Sequence, residues 1–103
     1  MVLAIDFDHV IHNTAQPKPG RKMGEPMPGA KEAMIALWRA GHQLVVHSCN
    51  RKQVISDWMQ YYEIPYHYVW DQLGKPVADR YLDDLGVTFR GWDALDVDPE
   101  RWL

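Results

Sequence analysis

Two aspartates close the first apolar run of the chain, Met1-Val-Leu-Ala-Ile-Asp6-Phe-Asp8-His9-Val10. Val2 to Ile5 is short and β-leaning, the pattern of a strand covered on both faces. Such a strand has no structural use for carboxylates at its exit, where burying charge without partners is costly. The side-chain period of two sends Asp6 and Asp8 toward the same side. Two carboxylates converging there suit a hard cation, a nucleophile with an acid/base partner, or both. The plainer alternative is a strand that ends in a polar turn. More residues of the same kind follow apolar runs further on: Ser48 after Gln43 to His47, and the pair Asp83 and Asp84 after Arg80 to Leu82.

The elements that must position them read as follows. Asn13 to Gly29 holds Pro17, Pro19, Gly20, Gly24, Pro26 and Pro28, so it cannot carry a regular element. It also carries Lys18, Arg21 and Lys22, the one basic cluster of the chain. Ala30 to Ala40 reads as a helix with Ala30, Ala33, Met34, Leu37 and Trp38 on one stripe, started after Pro28 and stopped by Gly41. Gln43 to His47 is a second strand. Arg51 to Tyr62 is a second helix, with Val54, Ile55, Trp58, Met59 and Tyr62 on its apolar face. Tyr66 to Trp70 and Arg80 to Leu82 are a third and a fourth strand. A short strand at Val87 to Phe89 and a weakly periodic terminal helix complete the order. Strands alternating with helices predict a parallel sheet with helices on its faces, and such sheets bind ligands beyond the carboxyl ends of their strands. Asp6, Asp8, Ser48, Asp83 and Asp84 all fall at those ends, and Lys75 lies in the connection between the third and fourth strands.

Composition sets the bounds. A chain of 103 residues, 47% apolar, has the size of one domain spanning 1–103 with its own core. A net charge of -3 gives no global attraction to nucleic acid or to an anionic membrane, so any phosphate-binding surface is local. The single cysteine, Cys49, excludes an internal disulfide framework and fits a reducing compartment. With neither a signal-like N-terminus nor a membrane span in the sequence, a soluble cytoplasmic protein is the expectation. Carboxylates meeting at one edge repel one another unless a cation sits among them, and oxygen-only ligands favour Mg²⁺ over zinc. A carboxylate nucleophile, a second carboxylate, a hydroxyl and a lysine suit phosphoryl transfer through an aspartyl-phosphate. His12, His42, His47 and His67 lack metal-ligand spacing with one another and with Cys49. Trp38 and Trp58 fall on helix faces that predict core packing.

These residues together resemble the haloacid dehalogenase superfamily of Mg²⁺-dependent phosphohydrolases. The resemblance rests on four motifs in order: Asp6-Phe7-Asp8-His9-Val10-Ile11, Leu44-Val45-Val46-His47-Ser48, Lys75, and Tyr81-Leu82-Asp83-Asp84. It covers about Val2 to Trp92, and the text around Pro26 to Ala30 and Gly74 to Asp79 is similar to short bacterial and phage-encoded members. It implies a three-layer α/β/α Rossmann-like fold with a central, mostly parallel sheet. It implies Asp6 as nucleophile and Asp8 as the acid that protonates the leaving oxygen and then activates water. Ser48 would bind a phosphoryl oxygen and Lys75 would balance its charge. Mg²⁺ would be held by Asp6, the main-chain carbonyl of Asp8 and Asp83, with Asp84 beside them. Neither connection is long enough for a cap domain. Capless members act on bulky phosphorylated substrates or use an oligomer partner to cover the site.

One position departs from the family pattern. The residue after Asp8 is usually glycine, which lets the loop turn tightly beside the phosphate, and here it is His9. A tolerated surface histidine is the simpler reading, and a hydrogen bond or a proton given to the substrate is the functional one. The leading expectation is a phosphomonoester hydrolase. The alternatives are a nucleotide or nucleic-acid end phosphatase using Lys18, Arg21 and Lys22, and a non-catalytic phosphate- or Mg²⁺-binding module altered by His9. A signalling receiver domain is disfavoured, because a receiver carries its acidic pair on the first strand and its phospho-acceptor on a later one.

Overall fold

Short apolar runs alternate with amphipathic helices in this chain, and they assemble into one parallel sheet. The computed structural model describes residues 1–13, 23–48, 51–72, 74, 76–83, 91–92 and 98–101. The elements are β1 (Val2–Asp6), α1 (Ala30–Arg39), β2 (Gln43–His47), α2 (Lys52–Tyr61), β3 (Tyr68–Trp70) and β4 (Arg80–Leu82), followed by a 3₁₀ turn at Pro99–Arg101. The sheet order is β3-β2-β1-β4 and every pairing is parallel. Flanked by two helices, this is an α/β fold of Rossmann-like type, as the alternation of elements implies.

Register puts the strand ends level. Asp6 sits opposite His47, Ile5 opposite Leu82, and His47 opposite Trp70. The carboxyl ends of β1, β2 and β4 therefore form one edge. From β1 the chain builds β2 and β3 to one side, then returns to place β4 on the other. That reversal is the switch point at which such sheets open a crevice.

The core explains the strand sequences. Leu3, Ile5, Leu44, Val46, Val69 and Leu82 are buried together with Met34 and Leu37 of α1 and with Ile55, Trp58 and Met59 of α2. Each helix ends in the same way. Gly41 has φ of 90° and its N–H donates to Trp38 O, while His42 N–H reaches back to Leu37 O. After α2, Glu63 takes φ of 56° in the glycine role, with Glu63 N–H on Gln60 O and Ile64 N–H on Met59 O. These contacts satisfy carbonyls that a helix end leaves open.

Two expectations change. The third strand is shorter than Tyr66 to Trp70, because the His67 ring takes the ladder's place: its Nδ1 accepts from Leu44 N at 2.9 Å. Trp38 is not a core residue. It is 42% exposed and stacks on that same His67 ring at 3.9 Å between centroids. Of the predicted terminal helix, residues 93–97 and 102–103 lie outside the described residues, and Pro99–Arg101 form a 3₁₀ turn. The predicted strand at 87–89 and the basic residues Lys18, Arg21 and Lys22 lie outside the described residues. Among the described residues, no helix is long and apolar enough to cross a membrane.

Burial predicts the stability ranking of substitutions. Leu3→Ala, at a fully buried position in β1, should cost about 2–5 kcal/mol in urea unfolding. Val77→Ala, at the most exposed large apolar side chain among the described residues, should stay within about 0.5 kcal/mol. A Leu3→Ala cost as small as that of Val77→Ala would contradict the sheet as described.

Candidate active site

The chain leaves β1 through a tight turn built from its own main chain. Phe7 N–H extends the ladder to His47 O at 3.0 Å, and Phe7 O then accepts from both Ile11 N and His12 N, at 2.9 and 2.8 Å. His9 N–H closes the turn on His12 O at 2.9 Å. At the tip His9 adopts φ of 68°, the left-handed region that a side chain enters at a cost of about 1–2 kcal/mol. The position that the resemblance assigns to glycine thus keeps a glycine-like backbone, with the histidine side chain exposed.

Two more segments lock this turn. Residues 24–27 return alongside it, with Asn13 N–H on Glu25 O and Met27 N–H on Ile11 O. The Trp92 indole, buried, donates to Val10 O at 3.0 Å. Its Cβ also lies where a Cβ on Gly29 would come within 3.4 Å, at the φ of 80° that opens α1.

Around the turn, the neighbouring strand ends supply the rest. Ser48, half-buried, follows β2 directly, and Asp83 follows β4 directly. Asp83 is only 3% exposed, and its Oδ2 lies 3.7 Å from His47 Nε2. That approach spans the width of β1, so residues from all three strand ends meet at one edge. Asp6, opposite His47 in the register, and Asp8, in the turn that follows, are both half-buried.

Lys75 and Asp84 lie outside the described residues, as does Cys49. The residues on either side of Lys75 are nonetheless anchored. Gly74 O accepts from the Trp70 indole at 2.9 Å, and Pro76 O accepts from the Tyr81 hydroxyl at 2.7 Å. Among the described residues, no three His, Cys, Asp or Glu side chains form a metal-holding group by themselves. The donor set implied for Mg²⁺ draws two side chains from these residues, Asp6 and Asp83, together with the main-chain carbonyl of Asp8.

Sequence reasoning set aside two residues that the fold brings to the acidic edge. His47 approaches Asp83, and His12 is buried at 6% exposure with Nδ1 3.0 Å from Asp8 Oδ1. The spacing Asp8-x-x-x-His12 was the available signal. It reads as noise until the turn folds position 12 back onto position 8, as the isolated bridge between the two residues records.

Comparison with known proteins yields a fold and no family. A solved structure titled as a conserved protein coded by a locus from Bacteroides thetaiotaomicron superposes with a TM-score of 0.63 at 24% identity, over 82% of this chain and 75% of that one. No family model matches the chain. No curated protein matches it either.

The left-handed turn is testable without any substrate. His9→Gly relieves the φ strain, against the extra chain entropy of a glycine, and should raise unfolding stability by up to about 1 kcal/mol. His9→Val, β-branched, should lower it by at least that much. Gly below wild type and Val equal to it would mean that position 9 is not left-handed.

Proposed function

We propose that this chain is a Mg²⁺-dependent phosphomonoester hydrolase of the haloacid dehalogenase type, working through an aspartyl-phosphate on Asp6. The observation that carries the reading is the common edge. Asp6, Ser48 and Asp83 stand at the carboxyl ends of three adjacent parallel strands, and Asp8 sits in the turn that continues β1. The left-handed backbone at His9 supports it further, since the loop keeps the tight form that glycine gives in the family.

The donor chemistry fits the metal. Carboxylates of Asp6 and Asp83 and the carbonyl of Asp8 are all hard oxygen ligands, and a carboxylate as buried as Asp83 is stabilised by a cation beside it. When bound, Mg²⁺ supplies charge neutralisation for the phosphoryl oxygens.

The chain's own residues then divide the reaction. An Asp6 carboxylate oxygen attacks phosphorus while the bond from phosphorus to the leaving oxygen breaks, and that oxygen takes the proton of the Asp8 carboxyl group. The products are an alcohol, the Asp6 acyl phosphate and an Asp8 carboxylate. Asp8 next removes a proton from water as the water oxygen attacks phosphorus and the bond to Asp6 breaks. Inorganic phosphate leaves, Asp6 is again a carboxylate and Asp8 again carries a proton. Ser48 donates to a phosphoryl oxygen, and Lys75 balances the charge on the transferred group.

Two measurements check this reading. Asp6→Asn should abolish release of phosphate from an aryl phosphate in Mg²⁺ while the unfolding transition stays cooperative, because the amide keeps the shape and loses the nucleophile. Near-normal turnover in that variant rules out the covalent route. Mg²⁺ should raise the melting temperature of the wild type by binding the folded state alone, and Asp83→Ala should lose most of that rise. An undiminished rise in Asp83→Ala would move the metal away from this edge.

A further inference from the structure

We infer that His12 is a positioning residue for Asp8: its Nδ1–H holds Asp8 Oδ1 and thereby assigns the transferable proton to Oδ2. The inference rests on the hydrolase reading for its catalytic purpose, and on hydrogen-bond polarity for its geometry.

Polarity decides the tautomer. Gly24 N–H is a main-chain donor, and it points at His12 Nε2 at 2.8 Å in a buried contact. Nε2 must therefore accept, which leaves the ring proton on Nδ1. Nδ1 lies 3.0 Å from Asp8 Oδ1, so the imidazole donates there. An oxygen that accepts this bond is the poorer place for a carboxyl proton. When Asp8 carries the proton given to the leaving oxygen, that proton sits on Oδ2.

The ring is packed on two sides. It stacks on Phe7 at 5.0 Å with an interplanar angle of 11°. It meets the Trp58 indole edge-to-face at 5.4 Å and 81°. Trp58 Nε1 in turn donates to Gly24 O at 3.0 Å, so one residue takes a bond from Trp58 and gives one to His12. The chain of contacts Trp58, Gly24, His12, Asp8 runs from α2 to the acid/base carboxylate. This is the arrangement by which an outer residue fixes the rotamer of a reacting group.

The test separates positioning from packing. His12→Phe keeps the stacked ring and removes the donor, while His12→Asn offers an amide N–H near the place of Nδ1. Both are assayed with Mg²⁺ on two probes, an alkyl phosphate whose leaving alkoxide needs a proton and an aryl phosphate whose leaving group needs little. His12→Phe should lower kcat on the alkyl phosphate by at least about tenfold more than on the aryl phosphate, a share of the roughly 10²–10⁴-fold that general acid help supplies. KM should change little on either, and His12→Asn should recover most of the difference. Equal losses on both probes, a loss confined to KM, or no recovery in Asn would overturn the inference. Should His12→Phe fail to fold, His12→Gln replaces it, since its amide reaches the place of Nε2 and not of Nδ1. Long-range ¹H–¹⁵N spectra of the imidazole read the tautomer directly, and the expected signature is a protonated Nδ1 whose signal moves in Asp8→Asn. A ring protonated on Nε2 overturns the clamp whatever the kinetics. A wild type that releases no phosphate from either probe sinks the hydrolase reading and with it the clamp's catalytic purpose, and the spectrum then decides the contact by itself.

Discussion

A strand in the interior of a parallel sheet can continue only past its carboxyl edge, and the rest of this structure depends on how β1 does so. The chain reverses between residues 7 and 12 with Phe7 O taking two N–H groups and His12 O taking a third. So tight a path requires one left-handed residue, and His9 occupies that place. The strain there is about 1–2 kcal/mol, and the surrounding hydrogen bonds over-determine the turn enough to hold it. Asp8 and His12 face each other as a consequence.

Indole donors tie this turn to the rest of the molecule. Trp58 of α2 bonds Gly24 O, and Trp92 bonds Val10 O, both in buried surroundings. Each ring adds apolar area to the core while its one N–H satisfies a carbonyl that the loops would otherwise leave without a partner. The β1 exit, the returning segment 24–27 and the C-terminal region are thereby joined by groups far apart in sequence. The same edge collects Ser48 and Asp83 because parallel strands in register end together.

Much of this was legible in the residues. The alternation of short β-branched runs with amphipathic stripes marked β1, α1, β2, α2 and β4 nearly to the residue, since periodicity reports which face is buried. The candidate site was legible for a related reason: Asp6 ends an apolar strand, Ser48 and Asp83 directly follow one, Asp8 lies two residues beyond β1, and a parallel sheet brings its strand ends to one side. Gly41 marked the end of α1 through a left-handed backbone that few other residues accept, and Pro28 its start through a fixed φ and a missing N–H.

What the tertiary structure alone decided were contacts between rings and between distant main-chain groups. Trp38 lies on the apolar stripe of α1, yet it lies half in solvent on His67, because the His67 ring has replaced a backbone acceptor at the foot of β3. Glu63 carries no mark of a helix stop, yet it takes a glycine-like conformation in which Glu63 N–H and Ile64 N–H close on helix carbonyls and Ile64 is buried. His12 and His47 have no metal-ligand spacing, which is why sequence periodicity passes over them. Spacing describes neighbours along an element, whereas a six-residue reversal and a three-strand edge make neighbours across elements. The amino-acid order by itself determined which carboxylates reach the sheet edge. The fold decided which imidazoles meet them, because that depends on a turn closed by main-chain hydrogen bonds that leave no signature in side-chain type.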